Sequence, residues 1–173
     1  MKSSSLVRET LNGLTSILEI NKNFIYILDG NGEVGKYTCK FNRGVTEQEI
    51  EDFKTSTGLV IPGEYIEFLK ITNGCDLFNH ELYGGENTFY PIDQVDYLYN
   101  TVYKINGLLQ IAYISGDWIV IDCKKYSSGD EKYMHVVNSA ASLEDDLRCL
   151  GCNFETWFNR YIATNGKNYW SWK

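Results

Sequence analysis

The feature of this sequence that most constrains its fold is a stretch of two consecutive helices over residues 44–74, with a start or stop signal at each boundary. Thr46 and Glu49 have the spacing of a capping box, which satisfies two backbone N–H groups at a helix start. Gly58 favours the left-handed conformation that ends the first helix, and Pro62 favours the first turn of the second. The second helix carries one buried face at helical spacing, formed by Tyr65, Phe68, Leu69 and Thr72. None of these residues suggests catalysis, so we interpret the stretch as a folding module.

The order of these signals resembles that of the SMI1/KNR4 family of the SUKH superfamily. In that family a capped helix is followed by an Ile/Leu-Pro-x-x-Tyr-x-x-Phe-Leu segment and by an Asn-Gly pair that closes the second helix. The residues that carry the resemblance are Ile61, Pro62, Tyr65, Phe68, Leu69, Asn73 and Gly74, preceded by Glu47, Glu49 and Ile50. A later hairpin is also similar to the family pattern, through Ile111, Ala112, Gly116, Asp117 and Asp122. The resemblance is strongest over residues 44–123.

The resemblance implies a function in binding. Most characterised bacterial members are immunity proteins, which bind and neutralise a toxin domain. The implied partner is the C-terminal domain of a cognate toxin from a polymorphic toxin system, of the kind used in contact-dependent competition. Relatives in eukaryotes suggest an alternative, a regulatory scaffold that binds signalling partners. A third hypothesis is an enzyme that acts on a small molecule or uses a metal.

The flanking segments add helical and strand patterns. Helices are predicted over residues 5–19 and from Pro91 onward. Ser142 with Asp145 is predicted to open a last helical region, which is interrupted at Gly151 and ends at Asn165. Strand patterns cover residues 24–28, 35–41, 75–78, 109–114, 118–122 and 133–137, and residues 124–132 read as a polar loop. The sequence therefore predicts an α+β fold in one domain over residues 1–173. We expect a mostly antiparallel sheet of about five or six strands, with helices to one side and at the ends.

Length and cysteine content suggest a cytoplasmic protein. The chain has 173 residues, enough for one domain with its own core. No apolar run has the length of a transmembrane helix, and the first residues do not resemble a signal peptide. Five scattered cysteines are too few for a disulfide scaffold and suit a reducing compartment.

The net charge of −7 narrows the range of partners. A protein that binds nucleic acid directly carries a basic face, so this composition argues against that role. A basic protein partner fits better, because complementary charge speeds encounter. The alternative is that acidity only keeps the protein soluble. A nuclease is the favoured toxin, because its phosphate-binding cleft is basic.

Two clusters could suggest catalysis or metal binding, and neither has a complete motif. Cys149 and Cys152 form a C-x-x-C pair without the second pair that a zinc site needs, and buried structural thiols are the preferred interpretation. His80 with Glu81 and Glu86 could act as acid and base, but a polar surface loop is the commoner origin of such a cluster. We therefore expect no enzymatic activity, no cofactor and no metal.

Acidic loop residues are the first candidates for a partner-binding face. Asp117 and Trp118 would combine a carboxylate with an aromatic anchor, although a turn role for Asp117 and a strand-end cap for Asp122 are favoured alternatives. The candidate contact residues are Glu81, Glu86, Asp93, Asp96, Asp117 and Trp118. We expect a monomer or a weak homodimer. The aromatic tail Tyr169, Trp170 and Trp172 is expected to fold back onto the domain, with an exposed recognition or dimer patch as the alternative.

Overall fold

The fold is built on an antiparallel sheet in which each strand pairs with the next, from Ile25 to Cys149. The computed structural model describes residues 5–28, 30–103, 105, 107–144 and 146–172. Within these residues the sheet has eight strands: β1 Ile25–Leu28, β2 Val34–Phe41, β3 Cys75–His80, β4 Asn87–Phe89, β5 Leu108–Ile114, β6 Asp117–Asp122, β7 Met134–Asn138 and β8 Arg148–Cys149. The predicted α+β class is confirmed, but five or six strands was too low. β4 and β8 are too short to show the alternation from which a strand is predicted.

The helices occupy the segments before, between and after these strands. They are α1 Leu6–Ile20, α2 Glu47–Thr57, α3 Gly63–Ile71, α4 Ile92–Tyr97, α5 Cys123–Ser127 and α6 Phe154–Ala163. A π-helical segment, Leu98–Tyr103, continues α4, and a short 3-10 helix, Tyr169–Ser171, lies near the C-terminal end. None of the helices in the described ranges is long and apolar enough to cross a membrane.

The local signals of residues 44–74 act as the sequence predicts. The Thr46 hydroxyl accepts from Glu49 N at 3.2 Å, and a Glu49 carboxylate oxygen accepts from Thr46 N at 2.7 Å, which completes the capping box. Gly58 ends α2 with φ +67. Pro62 is the cap residue immediately before α3, one position earlier than predicted. Only residues 59–61 lie between the cap residue that ends α2 and the cap residue that precedes α3.

Aromatic side chains form the centre of the main core. Helices α1, α3 and α6 pack against one another and against the sheet. The centroid of the Phe68 ring on α3 lies 5.4 Å from that of Phe89 on β4. It lies 5.6 Å and 5.4 Å from the ring centroids of Phe154 and Phe158 on α6. A smaller cluster covers the other face of β6, where Val120 packs with Val137 and Leu143. The central strands are thus covered on both faces.

Two predictions after β6 are wrong. Residues 124–132 do not form only a loop, because Asp122 accepts from Lys124 N and Lys125 N and so caps helix α5. The last helix does not begin at Ser142; β8 pairs with β7 first, and α6 begins at Phe154 after the cap residue Asn153. Asp145, and Asp29 of the predicted first turn, lie outside the described residues.

Most of the aromatic tail packs onto the domain. Trp170 is buried, with its ring 6.0 Å from that of Trp157, and its Nε1 donates to Asp117 Oδ2 at 2.8 Å. Tyr169 also packs against the core, whereas Trp172 is 62% exposed. The expected fold-back is therefore correct for Tyr169 and Trp170, and Trp172 remains on the surface.

Candidate functional site

The six candidate contact residues occupy three places and do not form one face. Glu81 and Glu86 flank the loop between β3 and β4, Asp93 and Asp96 lie on α4, and Asp117 and Trp118 begin β6. Glu81 and α4 lie at opposite ends of β3. The start of β3 lies near α4, because Asn73, just before the strand, accepts a hydrogen bond from Ile92 N of α4 through its Oδ1 at 2.7 Å. The other end of β3 is His80, where the loop with Glu81 begins. A strand of this length separates Glu81 from the α4 end by roughly 17 Å. Glu86 lies nearer to that end, because it precedes β4, which pairs with Cys75 and Asp76.

The loop after β3 is held by short-range hydrogen bonds. His80 and Gly84 exchange two backbone bonds of 2.9 Å, and His80 Nδ1 accepts from Leu82 N at 3.1 Å. The Tyr83 ring stacks on the His80 imidazole with centroids 4.7 Å apart, and the Tyr37 ring contacts its edge at 5.1 Å. Tyr83 is nevertheless 86% exposed. The loop therefore presents a fixed aromatic side chain to solvent.

A cavity of about 850 Å³ lies beside this loop, and we name it the terminal groove. Its lining includes Tyr37, Phe78, His80, Tyr83, Glu81 and Glu86, together with Glu33 of the β1–β2 hairpin. Glu81 forms an ion pair of 3.0 Å with Lys36. Sequence reasoning selected the two carboxylates of the loop but missed Tyr83 and Glu33. The sequence did contain a signal for Tyr83, because Leu82 and Tyr83 form an apolar pair before two glycines in an otherwise polar loop.

A second cleft, of about 430 Å³, lies between α2 and α4, and we name it the acidic cleft. It is lined by Glu49, Asp52, Asp93 and Asp96, with Arg43 as the basic residue. Arg43 forms an ion pair with Glu49 at 2.6 Å, and this hydrogen bond, followed by that from Thr46 N, lowers the pKa of Glu49 to about 2. The pKa of Glu49 in the folded protein therefore lies below its ordinary value of 4.5. Any stability that the ionised Glu49 contributes is fully present above pH 4.5 and is lost as the pH falls towards 2.

Asp117 and Trp118 are engaged within the protein. The Asp117 carboxylate accepts from the Trp170 indole, and the partly buried Trp118 ring lies 5.6 Å from the Tyr103 ring. A partner would have to compete with these contacts. The bond to Trp170 gives Asp117 a structural role other than the turn role expected from the sequence.

We expect Asp117→Ala to lower the free energy of unfolding by about 1–2 kcal/mol, because the buried Trp170 N–H would lose its acceptor. Asp117→Asn is the matched control, since its amide oxygen can accept the same bond and should restore most of the loss. Urea unfolding followed by tryptophan fluorescence measures both variants. Equal stability of the alanine variant and the wild type would contradict a tail held by this bond.

The cysteines are mainly buried thiols. Burial raises the pKa of Cys39, Cys75 and Cys152, and raises that of Cys123 to about 12, which disfavours the reactive thiolate. The predicted burial is wrong for Cys149 on β8, which is exposed, and Cys39 is only partly buried. Across the described ranges, no three His, Cys, Asp or Glu side chains are grouped so that they could hold a metal ion.

Comparison with known proteins identifies relatives over most of the chain. YobM of Bacillus subtilis (strain 168), an uncharacterized protein, is 27% identical over 179 residues, which cover 98% of this chain and 94% of the relative. YnaB of the same strain, also uncharacterized, is 32% identical over 135 residues, 77% of this chain and 87% of the relative. The family model described as SMI1 / KNR4 family (SUKH-1) matches residues 44–160, which include the two-helix stretch, the terminal groove loop and the β5–β6 hairpin. This chain belongs to the SMI1/KNR4 family, SUKH-1.

Proposed function

We propose that this protein is an immunity protein that binds a cognate toxin domain in a stoichiometric complex and so neutralises it. Membership of the SMI1/KNR4 family carries the proposal, since that family is known for immunity proteins. Both relatives described above come from a bacterium, which supports a toxin partner over the regulatory role of eukaryotic relatives. The proposed activity is binding without catalysis, in the cytoplasm, where an incoming toxin would act.

The proposed toxin is a nuclease. An enzyme that holds nucleic acid presents Lys and Arg side chains to phosphates, and an acidic protein can occupy the same basic cleft. The net charge of −7 supports this pairing, and both the terminal groove and the acidic cleft are lined by more carboxylates than basic side chains. A stable inhibitory complex would bury roughly 1,600 Å² in total. One groove or cleft and its surrounding loops would supply only part of such an area.

Co-expression tests the proposal. The chain would be produced together with the C-terminal domain of each protein encoded by a neighbouring gene, and growth and co-purification would be scored. Rescue of growth together with a one-to-one complex is the expected result. A toxin domain encoded elsewhere in the same genome is the control and should be neither bound nor neutralised. Failure of rescue and of complex formation with every neighbouring gene product would refute the proposed function.

A further inference from the structure

We propose that the terminal groove is the surface that binds the toxin domain, and that its occupant is an arginine-bearing segment of that domain. This inference rests on the proposed function and names the part of the surface that performs it. The acidic cleft between α2 and α4 is the competing surface, and its residues provide the controls.

The terminal groove is long enough for an extended segment. A second cavity of about 200 Å³ shares Tyr37, Phe78, Asn87 and Ser115 with it, so the two form a continuous depression. The added cavity continues to residues 165–168 after α6. Small-molecule sites usually enclose most of their ligand. Here Leu82 and Tyr83 on the rim are 77% and 86% exposed, which suits a protein segment lying along the surface.

The floor of the groove includes Phe78, a buried residue held by several contacts. Phe78 is buried at the shared part of the two cavities with φ +53, next to the β2–β3 irregularity, and its N–H donates to Cys39 Sγ at 3.5 Å. Bulky residues adopt a positive φ only where the surrounding structure imposes it. The Phe78 ring packs against Tyr161, with centroids 5.9 Å apart. A groove with such a floor is formed before a partner arrives, so binding requires little ordering of this chain.

Tyr83 supplies the aromatic anchor. Its ring is fixed against His80, and the backbone bonds between His80 and Gly84 fix the loop that carries it. Tyrosines held in this way are typical of residues that dominate binding free energy at interfaces. An arginine of the partner can stack on such a ring by a cation–π contact.

The charges of the terminal groove specify a basic occupant. Lys36 lines it, but its ammonium group is paired with Glu81 and lies 3.6 Å from the centroid of the Phe24 ring. Among the described residues, the added cavity is lined by Lys167 and by no carboxylate, so the acidic charge lies at the Tyr83 end of the groove. Glu33 and Glu86 form no ion pair with another described residue. Two carboxylates that line the same cavity as an exposed tyrosine fit a guanidinium group, which can bond to a carboxylate and stack on a ring. A second copy of this chain, also of net charge −7, is a poorer match.

The acidic cleft lacks an exposed aromatic anchor. Phe53, the aromatic residue in its described lining, is only 4% exposed, and Arg43 already neutralises Glu49. An acidic cleft of this kind can attract a basic protein, but it offers no aromatic side chain to hold it. Asp93 is therefore the matched position for a charge-reversal control.

Three variants test the inference in complex with the same toxin domain, the one that the co-expression experiment identifies as the partner. Tyr83→Ala should raise Kd about 30-fold or more, the effect of removing an interface hot spot. Glu86→Lys should slow association about tenfold at low salt, because a carboxylate near the contact steers the encounter. Asp93→Lys should leave Kd within about twofold of the wild type. Thermal melting should be unchanged in Tyr83→Ala, since the removed ring is largely exposed.

The outcomes separate this inference from the proposed function. If the wild type neutralises the toxin domain and the groove variants bind it equally well, the groove is not the contact surface and only this inference is overturned. The same holds if Asp93→Lys is the variant that weakens binding. If sedimentation of the chain alone shows a dimer that Tyr83→Ala dissociates, a second copy is the occupant and the inference is overturned. If the wild type forms no complex, both the proposed function and this inference are wrong.

Discussion

Replacing Phe68 by alanine is expected to lower the free energy of unfolding by about 4 kcal/mol. The Phe68 side chain is fully buried, and its ring joins α3 to β4 and to α6 through Phe89, Phe154 and Phe158. These three rings are also in contact with one another or with Trp157, so they cannot easily move into the space that the truncation leaves. The variant should therefore lose both the buried ring and the packing around the cavity.

Urea unfolding measured by circular dichroism tests this expectation, with m-values compared to confirm that the same transition is observed. Val60→Ala is the control, because it also truncates an apolar side chain near α3, but one that is 60% exposed. It should change stability by less than about 0.5 kcal/mol. A loss below about 1.5 kcal/mol for Phe68→Ala would mean that the aromatic core repacks, contrary to the contacts described.

The parts of the fold that could be predicted are those specified by neighbouring residues. The capping box of Thr46 and Glu49, the stop at Gly58 and the buried face of α3 all depend on residues a few positions apart. The same is true of the β5–β6 hairpin, in which Asp117 follows the turn and lies opposite Ile114. Local signals of this kind can be read from one sequence.

The parts that could not be predicted depend on distant partners. β8 has two residues, and it is a strand because Cys149 and Arg148 pair with β7. Its residues carry no pattern of their own, so Ser142 with Asp145 suggested a helix start instead. The hydrogen bond from Trp170 to Asp117 spans 53 positions, and it places a candidate contact residue within the structural framework. No local pattern indicates either contact.

The candidate site shows the same limit. Glu81, Glu86, Asp93 and Asp96 are close in sequence and alike in charge, but β3 separates them into the terminal groove and the acidic cleft. Glu33 approaches the groove from the β1–β2 hairpin, and only the sheet brings it there. Charge predicted the kind of residue involved, whereas strand pairing determines which carboxylates can act on one partner.

Replacing Gly74 by alanine is expected to destabilise the protein by about 3–4 kcal/mol, through two separate effects. Gly74 has φ +75, which is unfavourable for a residue with a Cβ atom. In addition, a Cβ here would lie 2.6 Å from Phe89 O and 2.7 Å from Pro91 N, and these are backbone atoms of β4 and of the approach to α4. The β3–β4 pair would have to shift, and α4 would shift with it.

Gly58→Ala isolates the first effect from the second. Gly58 has φ +67 at the end of α2, but no heavy atom lies within 4 Å of the position that a Cβ would occupy. Its replacement should therefore destabilise by about 1 kcal/mol, the effect of the backbone conformation alone. Both variants would be compared by urea unfolding under the same conditions. A difference of about 2 kcal/mol or more would attribute the requirement for glycine at position 74 to the close approach of β4, because both positions share the left-handed backbone. Equal losses would contradict that packing and leave the positive φ as the sole reason for the glycine that closes the two-helix stretch.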